Sequence, residues 1–336
     1  MKIERLTGGA CRPPFPVHES LVARLLAAHS PDAVTRPDPR DPAVAHVLAT
    51  CAGYAYADAE TVALMMTRLG FEHSGCVSIR QTVDAMFVFS TAFLAQSRCG
   101  RVVILCYRGT EPGTFGSWLG DADVGPDSIA LGGERLVVHA GFYRNVRATR
   151  WAVTEELARA LAGVSLLDPS RTVEHPLEAL YVTGHSLGGA MALLFALSLV
   201  GSEEHGPLAE RLRAVYTFGQ PMALVEPIPE ITAQIGKQVL RHILSRDVVP
   251  ALPPAQWGRF AHIGHEYRYA HGSWRRAETP VAALQHAREI PRSLLGFFAT
   301  GKPPERARWA ARDHGPHHYI AALRPAGRVT EFGDWE

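Results

Sequence analysis

The stretch from Ala179 to Leu199 constrains this chain more than any other. An apolar run rich in β-formers, Ala179 to Val182, leads into Gly184-His-Ser-Leu-Gly188, and an apolar run of helical period follows. A serine at the tip of such a strand-to-helix turn needs small neighbours, because a Cβ there would collide with the strand and helix that the turn joins. Gly184 and Gly188 meet that need around Ser186. The five-residue pattern alone is weak. Its placement between a buried strand and a buried helix makes it a nucleophile elbow.

The rest of the chain supplies a sheet for that elbow. Strand-like runs are expected at Asp84–Ser90, Arg101–Tyr107, Ala214–Phe218 and Gln238–Ile243, with a helix near Phe142–Leu161 and a helix-like end at Tyr319–Leu323. Strands alternating with helices imply right-handed crossovers, so the fold class is α/β, a mostly parallel central sheet covered by helices on both faces. Catalytic groups then belong on loops at the carboxyl ends of the strands. Before the sheet, residues 11–42 are rich in Pro, Asp and Arg and read as a surface arm. Asp41 and Pro42 can cap and start a packing helix whose spacing runs from Ala43 through Val47, Leu48, Cys51, Tyr54 and Ala55, and a second apolar stripe runs through Val62, Leu64, Met65 and Leu69. The division is an N-terminal arm with packing helices, 1–79, and a catalytic domain, 80–336, forming one structural unit.

Composition narrows the function classes. A formal charge of +1 on 336 residues gives no electrostatic case for nucleic acid. No segment approaches 18 uninterrupted apolar residues, so no transmembrane segment is expected. The amino terminus has no apolar h-region, and a cytoplasmic location is the expectation, with leaderless export or a removed leader as the alternative. Five widely spaced cysteines, with no C-x-x-C pair, read as reduced thiols.

A serine hydroxyl is a poor nucleophile near neutral pH, so Ser186 requires a base, and the base requires an orienting acid. On sheets of this kind the order is Ser, acid, His. Asp247 fits the acid, since it follows the strand at Gln238–Ile243 and precedes a proline-held loop; Asp313 is its rival. For the base the choice is His314, with His317 and His318 close by. A metal site from Asp313, His314, His317 and His318 is not expected, because Gly315 and Pro316 interrupt the regular structure that would pre-place ligands. His262 and His265 read as strand or turn decoration. The tetrahedral intermediate needs two donors: the Leu187 N–H, and a donor after the run Val102–Cys106, where Thr110 offers both N–H and hydroxyl. Between Glu111 and Gly120, glycines alternate with Phe115, Trp118 and Leu119, which suits either a lid over an apolar cleft or a short helix anchored to the core.

These residues stand in an ordered series: Tyr107-Arg-Gly-Thr110, Trp118-Leu-Gly-Asp121, Val138-His-Ala-Gly-Phe142, Val182 to Gly189, Thr217-Phe-Gly-Gln-Pro221, Asp247-Val-Val-Pro250, and Asp313-His314 with Tyr319. Across residues 80–323 the series resembles the class 3 lipases, the fungal-lipase-like branch of the α/β-hydrolases. The resemblance implies Ser186 as nucleophile, Asp247 as orienting acid, His314 as base, Thr110 with Leu187 as oxyanion hole, and a lid after Thr110. It also implies a triacylglycerol lipase or esterase that needs no metal or organic cofactor and acts on lipid esters at a lipid–water interface. Fungal members are secreted and disulfide-bonded, so this chain looks more like a bacterial or intracellular relative. Phospholipase A1 or monoacylglycerol lipase activity on the same machinery is the nearest alternative. A catalytically silent interaction module is the alternative of another class.

Overall fold

A computed structural model describes residues 1–12, 14–30, 41–110, 125–244, 246–253, 257–278 and 313–332. Its centre is a nine-stranded sheet in the order β1-β2-β3-β4-β7-β8-β10-β12-β13. The strands are β1 (Lys2–Thr7), β2 (Gly75–Val83), β3 (Val88–Gln96), β4 (Val102–Tyr107), β7 (Ala179–His185), β8 (Leu212–Phe218), β10 (Val239–Leu244), β12 (His265–Ala270) and β13 (Ser273–Arg276). From β4 through β7, β8 and β10 to β12 every pairing is parallel, while β1 to β4 on one side and β12–β13 on the other pair antiparallel. A second, antiparallel sheet has the order β11-β9-β6-β5. It comprises β5 (Pro126–Leu131), β6 (Glu134–His139), β9 (Leu224–Val225) and β11 (Phe260–Ala261).

Strand residues alternate between two cores, as a period of two requires. Val103, Leu105 and Tyr107 of β4 face a core closed by α4 (Ala140–Leu161) and α5 (Leu187–Val200). Val102, Ile104 and Cys106 face a core closed by α1 (Leu21–Ala27), α2 (Pro42–Tyr54), α3 (Ala59–Leu69) and α6 (Pro316–Leu323). All six β4 side chains are buried, which explains its unbroken apolar run. Residues 187–199 of α5 are buried all round, because the helix lies between the sheet and α4. Each fully buried Leu or Phe of these cores contributes about 2 kcal/mol of transfer free energy. Among the described residues, no single helix is long and apolar enough to cross a bilayer.

Helix signals written in the sequence act locally. Asp41 accepts from the Ala43 and Val44 backbone N–H groups, and Pro42 opens α2. Elsewhere the structure departs from expectation. The supposed surface arm contains α1, whose Leu21 and Leu25 are buried against the second core, so its Pro-rich composition hid a packing helix. Asp84–Met86 is a turn of 3-10 helix at the β2–β3 hairpin tip, and the strand begins only at Val88. The position between residues 79 and 80 lies inside β2, and β1 adds to the edge of that strand. Residues 279–312 lie outside the described residues.

Candidate active site

The turn between β7 and α5 places Ser186 at φ 58°, ψ −129°, a region that non-glycine residues rarely occupy. Its N–H donates to the Phe218 carbonyl at 2.9 Å, which ties the tip of the elbow to the end of β8. A Cβ on Gly184 would strike the Gly188 carbonyl, and one on Gly188 would strike the Tyr107 carbonyl at the end of β4. Both glycines are therefore required by close approach of backbone. The strain at Ser186 lifts its hydroxyl off the strand direction, at the carboxyl edge of the sheet.

His314 accepts from the Ser186 hydroxyl: Nε2 lies 2.8 Å from Oγ. Its Nδ1–H donates to Asp247 Oδ2, also at 2.8 Å. Asp247 sits just beyond β10 with its side chain inaccessible to solvent. Its carboxylate has two further donors, the Val249 N–H on Oδ1 at 2.9 Å and the Tyr319 hydroxyl on Oδ2 at 2.6 Å. Tyr319 in turn accepts from the Leu244 N–H at 3.2 Å. Burial, reinforced by the Asp247 charge, holds the Tyr319 phenol well above its ordinary pKa, so it remains a neutral donor.

The helix at the chain end begins at Pro316, not at Tyr319, because proline is favoured in the first helical position, where its missing N–H is not needed. That start puts Tyr319 under Asp247. His317 and His318 instead have their rings together at 3.9 Å, and the His318 N–H donates to the Gly315 carbonyl. Of the three neighbouring histidines, it is His314 that bridges Ser186 and Asp247. The Asp247 loop is braced from below by His262, whose Nε2 donates to the Pro250 carbonyl at 2.8 Å. Burial holds that ring neutral, with a pKa well below the ordinary value. His265, by contrast, takes a contact from Arg276 on the neighbouring strand.

Three further residues escaped sequence reasoning. Gly219, directly after β8, has φ +60°, and a Cβ there would lie 2.6 Å from Asp247 Oδ2 and 2.9 Å from His314 Nδ1. Its place in Thr217-Phe-Gly-Gln-Pro221 was the available signal. His185, the variable residue of the elbow, lies beneath the His314 ring at 4.5 Å between centroids. Its Nε2 donates to the His314 carbonyl at 2.7 Å, and its Nδ1 accepts from the Tyr56 hydroxyl at 3.0 Å. Burial first, and the neighbouring His314 second, push the His185 pKa well below the ordinary value. A neutral ring with its proton on Nε2 satisfies both contacts. Tyr56 follows α2, and the Arg108 guanidinium stands over its ring at 5.8 Å. No motif in residues 1–79 pointed to it.

The close approach of Gly188 to Tyr107, Arg108 and Gly109 also brings the end of β4 beside the elbow. Thr110 follows Gly109 directly, and Leu187 opens α5 with its backbone N–H at the positive end of the helix dipole. Phe115, Trp118 and Leu119 lie outside the described residues. No group of three or more metal-ligating side chains occurs among the described residues.

Known proteins share parts of this sequence and of this fold. The family model for lipase (class 3) matches residues 104–257, from β4 to just short of β11. The lipase of Rhizomucor miehei is 31% identical over 192 residues, which is 57% of this chain and 48% of that protein. Triacylglycerol lipase OBL1 of Arabidopsis thaliana is 28% identical over 199 residues, 52% of this chain and 38% of that protein. The chain thus spans less than half the length of these curated relatives. In three dimensions the Rhizomucor miehei lipase propeptide complex superposes with a TM-score of 0.52 at 25% identity, covering 70% of this chain and 72% of that one. Residues 104–257 thus match the class 3 lipase family, and the chain has the α/β-hydrolase fold.

Proposed function

We propose that the protein is a serine carboxylic-ester hydrolase that cleaves acylglycerols or related lipid esters through an acyl-enzyme. The observation that carries this reading is the continuous line Ser186 Oγ, His314, Asp247, with both hydrogen bonds at 2.8 Å and the serine in a strained elbow. His314 takes the Ser186 proton as the hydroxyl attacks the ester carbonyl, then gives it to the departing alcohol. Asp247 fixes the tautomer that leaves Nε2 free to accept, and its negative charge stabilises the imidazolium. The N–H groups of Leu187 and Thr110, with the Thr110 hydroxyl, receive the oxyanion; one such donor is typically worth about 3 kcal/mol of barrier. Water, activated by the same histidine, then releases the acid. The residues between Glu111 and Gly120, with Phe115, Trp118 and Leu119, are assigned to a lid and acyl-chain contacts.

The lipid character of the substrate is supported by relatives named lipase and triacylglycerol lipase. A secreted mono- and diacylglycerol lipase of Gibberella zeae is also similar, 29% identical over 140 residues, which keeps partial glycerides within the substrate class. Ser186→Ala should abolish hydrolysis of tributyrin and of p-nitrophenyl esters. Initial rates across triacylglycerol, monoacylglycerol and phospholipid substrates then select among lipase, monoacylglycerol lipase and phospholipase A1. Wild-type protein that cleaves none of them would mark a lipase-like interaction module instead.

A further inference from the structure

The β2–β3 hairpin tip is an unusual turn. Hairpin tips are commonly built from Gly, Asn, Asp and Ser, yet here the turn reads Asp84-Ala-Met-Phe87. Met86, Phe87 and Phe89 are 54%, 41% and 44% exposed. Phe87 has φ 50°, ψ 39°, a left-handed conformation that an aromatic residue rarely adopts. The tip is nevertheless held firmly. Buried Asn145 of α4 accepts from the Phe89 N–H at 2.8 Å and donates to the carbonyls of Phe87 and Gly141, while Arg144 reaches the Met86 carbonyl. A buried amide thus fixes a strained backbone in order to present apolar side chains to solvent.

Sheet register fixes where those side chains project. Tyr107, the last residue of β4, pairs with Ala92 of β3 and with Gly184 of β7. Ser186 lies two residues past Gly184, whereas Val88 lies four residues past Ala92, about 13 Å along the strand. The tip therefore stands at the active-site edge of the sheet and reaches beyond the level of the nucleophile. Its surroundings are basic. Residues 80–90 and 140–151 contain Arg80, Arg144, Arg147 and Arg150 against a single acid, Asp84. Arg147 also pairs with Asp127 of β5 at 3.2 Å.

We propose that this tip docks the protein on an anionic phospholipid surface: Met86, Phe87 and Phe89 enter the interfacial layer, and the surrounding arginines face the headgroup charge. An apolar wedge with a basic rim is the composition that binds such surfaces, and its placement would direct Ser186 toward the lipid. The consequence for turnover rests on the hydrolase reading above; docking itself does not.

The test is sedimentation with sucrose-loaded vesicles of phosphatidylcholine containing about 30% phosphatidylglycerol, using the full chain with Ser186→Ala so that turnover plays no part. We expect binding that weakens in about 0.5 M NaCl, and a loss of at least about tenfold in partition for Met86→Ser/Phe87→Asn. Asparagine tolerates the left-handed backbone, and urea unfolding of the variant reports its fold. Trp151, 70% exposed on α4 two turns beyond Arg144, is the control for exposed aromatic surface in general; Trp151→Ala should bind as its parent does. The proposal is overturned if the parent does not bind, if the tip variant binds as well as the parent, or if Trp151→Ala shows the larger loss. Hydrolysis of a soluble short-chain ester by the wild-type chain is scored separately. Vesicle binding through the tip without ester cleavage would uphold docking while removing the hydrolase reading, and ester cleavage with an indifferent tip would do the reverse.

Discussion

Gly219 offers a sharp test of how the acid and base are held. A methyl group at this position would stand 2.6 Å from Asp247 Oδ2 and 2.9 Å from His314 Nδ1, the two atoms that share the 2.8 Å hydrogen bond. Both distances are well inside the roughly 3.5 Å of ordinary non-bonded contact, so one partner must move by more than half an ångström. Alanine at φ +60° adds about 1 kcal/mol of backbone strain. Removing an orienting acid outright costs roughly 10⁴-fold in kcat; a carboxylate displaced but still present should cost about 10²-fold, or about 2.7 kcal/mol of barrier. Gly219→Ala should therefore lower kcat on a soluble butyrate ester about a hundredfold with little change in KM. Urea unfolding should register a loss of about 2 kcal/mol, the strain plus a weakened charge-assisted hydrogen bond. A variant with kcat within about threefold of wild type would show that the Asp247–His314 bond either tolerates the intrusion or does not limit the rate, and the reasoning would fail.

Tyr319→Phe removes one donor from Asp247 and strands the buried Leu244 N–H. We expect a stability loss of about 1–3 kcal/mol by urea unfolding and about a tenfold lower kcat in initial-rate assays. Tyr56→Phe removes the Tyr56 hydroxyl from Nδ1 of His185 and loosens the His314 backbone. A kcat reduced about threefold at constant KM is expected, and it should be absent in a His185→Asn background, as a double-mutant cycle would report. Burial also makes the fold acid-sensitive. The pKa values of His46 and His242 are pushed down to about 3, and that of His18, hydrogen-bonded to His46 at 2.9 Å, to about 4. Because these folded-state values lie below the unfolded value of about 6.5, the unfolded chain binds protons first, so stability is full above pH 6.5 and is lost toward pH 3. At pH 5 His18, His46 and His242 should each cost about 2 kcal/mol, visible as a lower urea midpoint than at pH 7, and His242→Phe should remove its share.

The parts of the fold that were legible in the sequence are those whose signal is local. Asp41-Pro42 announces α2 because capping and the fixed φ of proline act within one turn, and the elbow announces itself because only glycine fits at 184 and 188. β4 was readable because a strand buried on both faces has no polar residue to interrupt it. What was not legible depends on contacts made across the chain. α1 is a helix under the sheet because Leu21 and Leu25 find a core made by distant strands, and β1 is a strand because β2 offers it an edge. At the hairpin tip, Met86 and Phe87 read as strand because apolar residues usually mean burial; only the structure reveals that they face solvent. The same division runs through the site. Ser186, Asp247 and His314 could be placed by motif and chain order, but the choice of His314 over His317 and His318 rests on the hydrogen bonds of the His314 ring to Ser186 and Asp247, made between segments far apart in the chain. Tyr56 had no local signal, because its role arises only when His185 lies between it and the His314 backbone.

The proposed chemistry requires Ser186 to be a nucleophile activated by His314, and covalent labelling reads that directly. A fluorophosphonate should phosphonylate the folded wild-type chain at a single site, located by peptide mass spectrometry at Ser186, with labelling slowed by about 10³-fold or more in His314→Ala. Folded protein that fails to label, that labels elsewhere, or that labels equally fast without the histidine would contradict it.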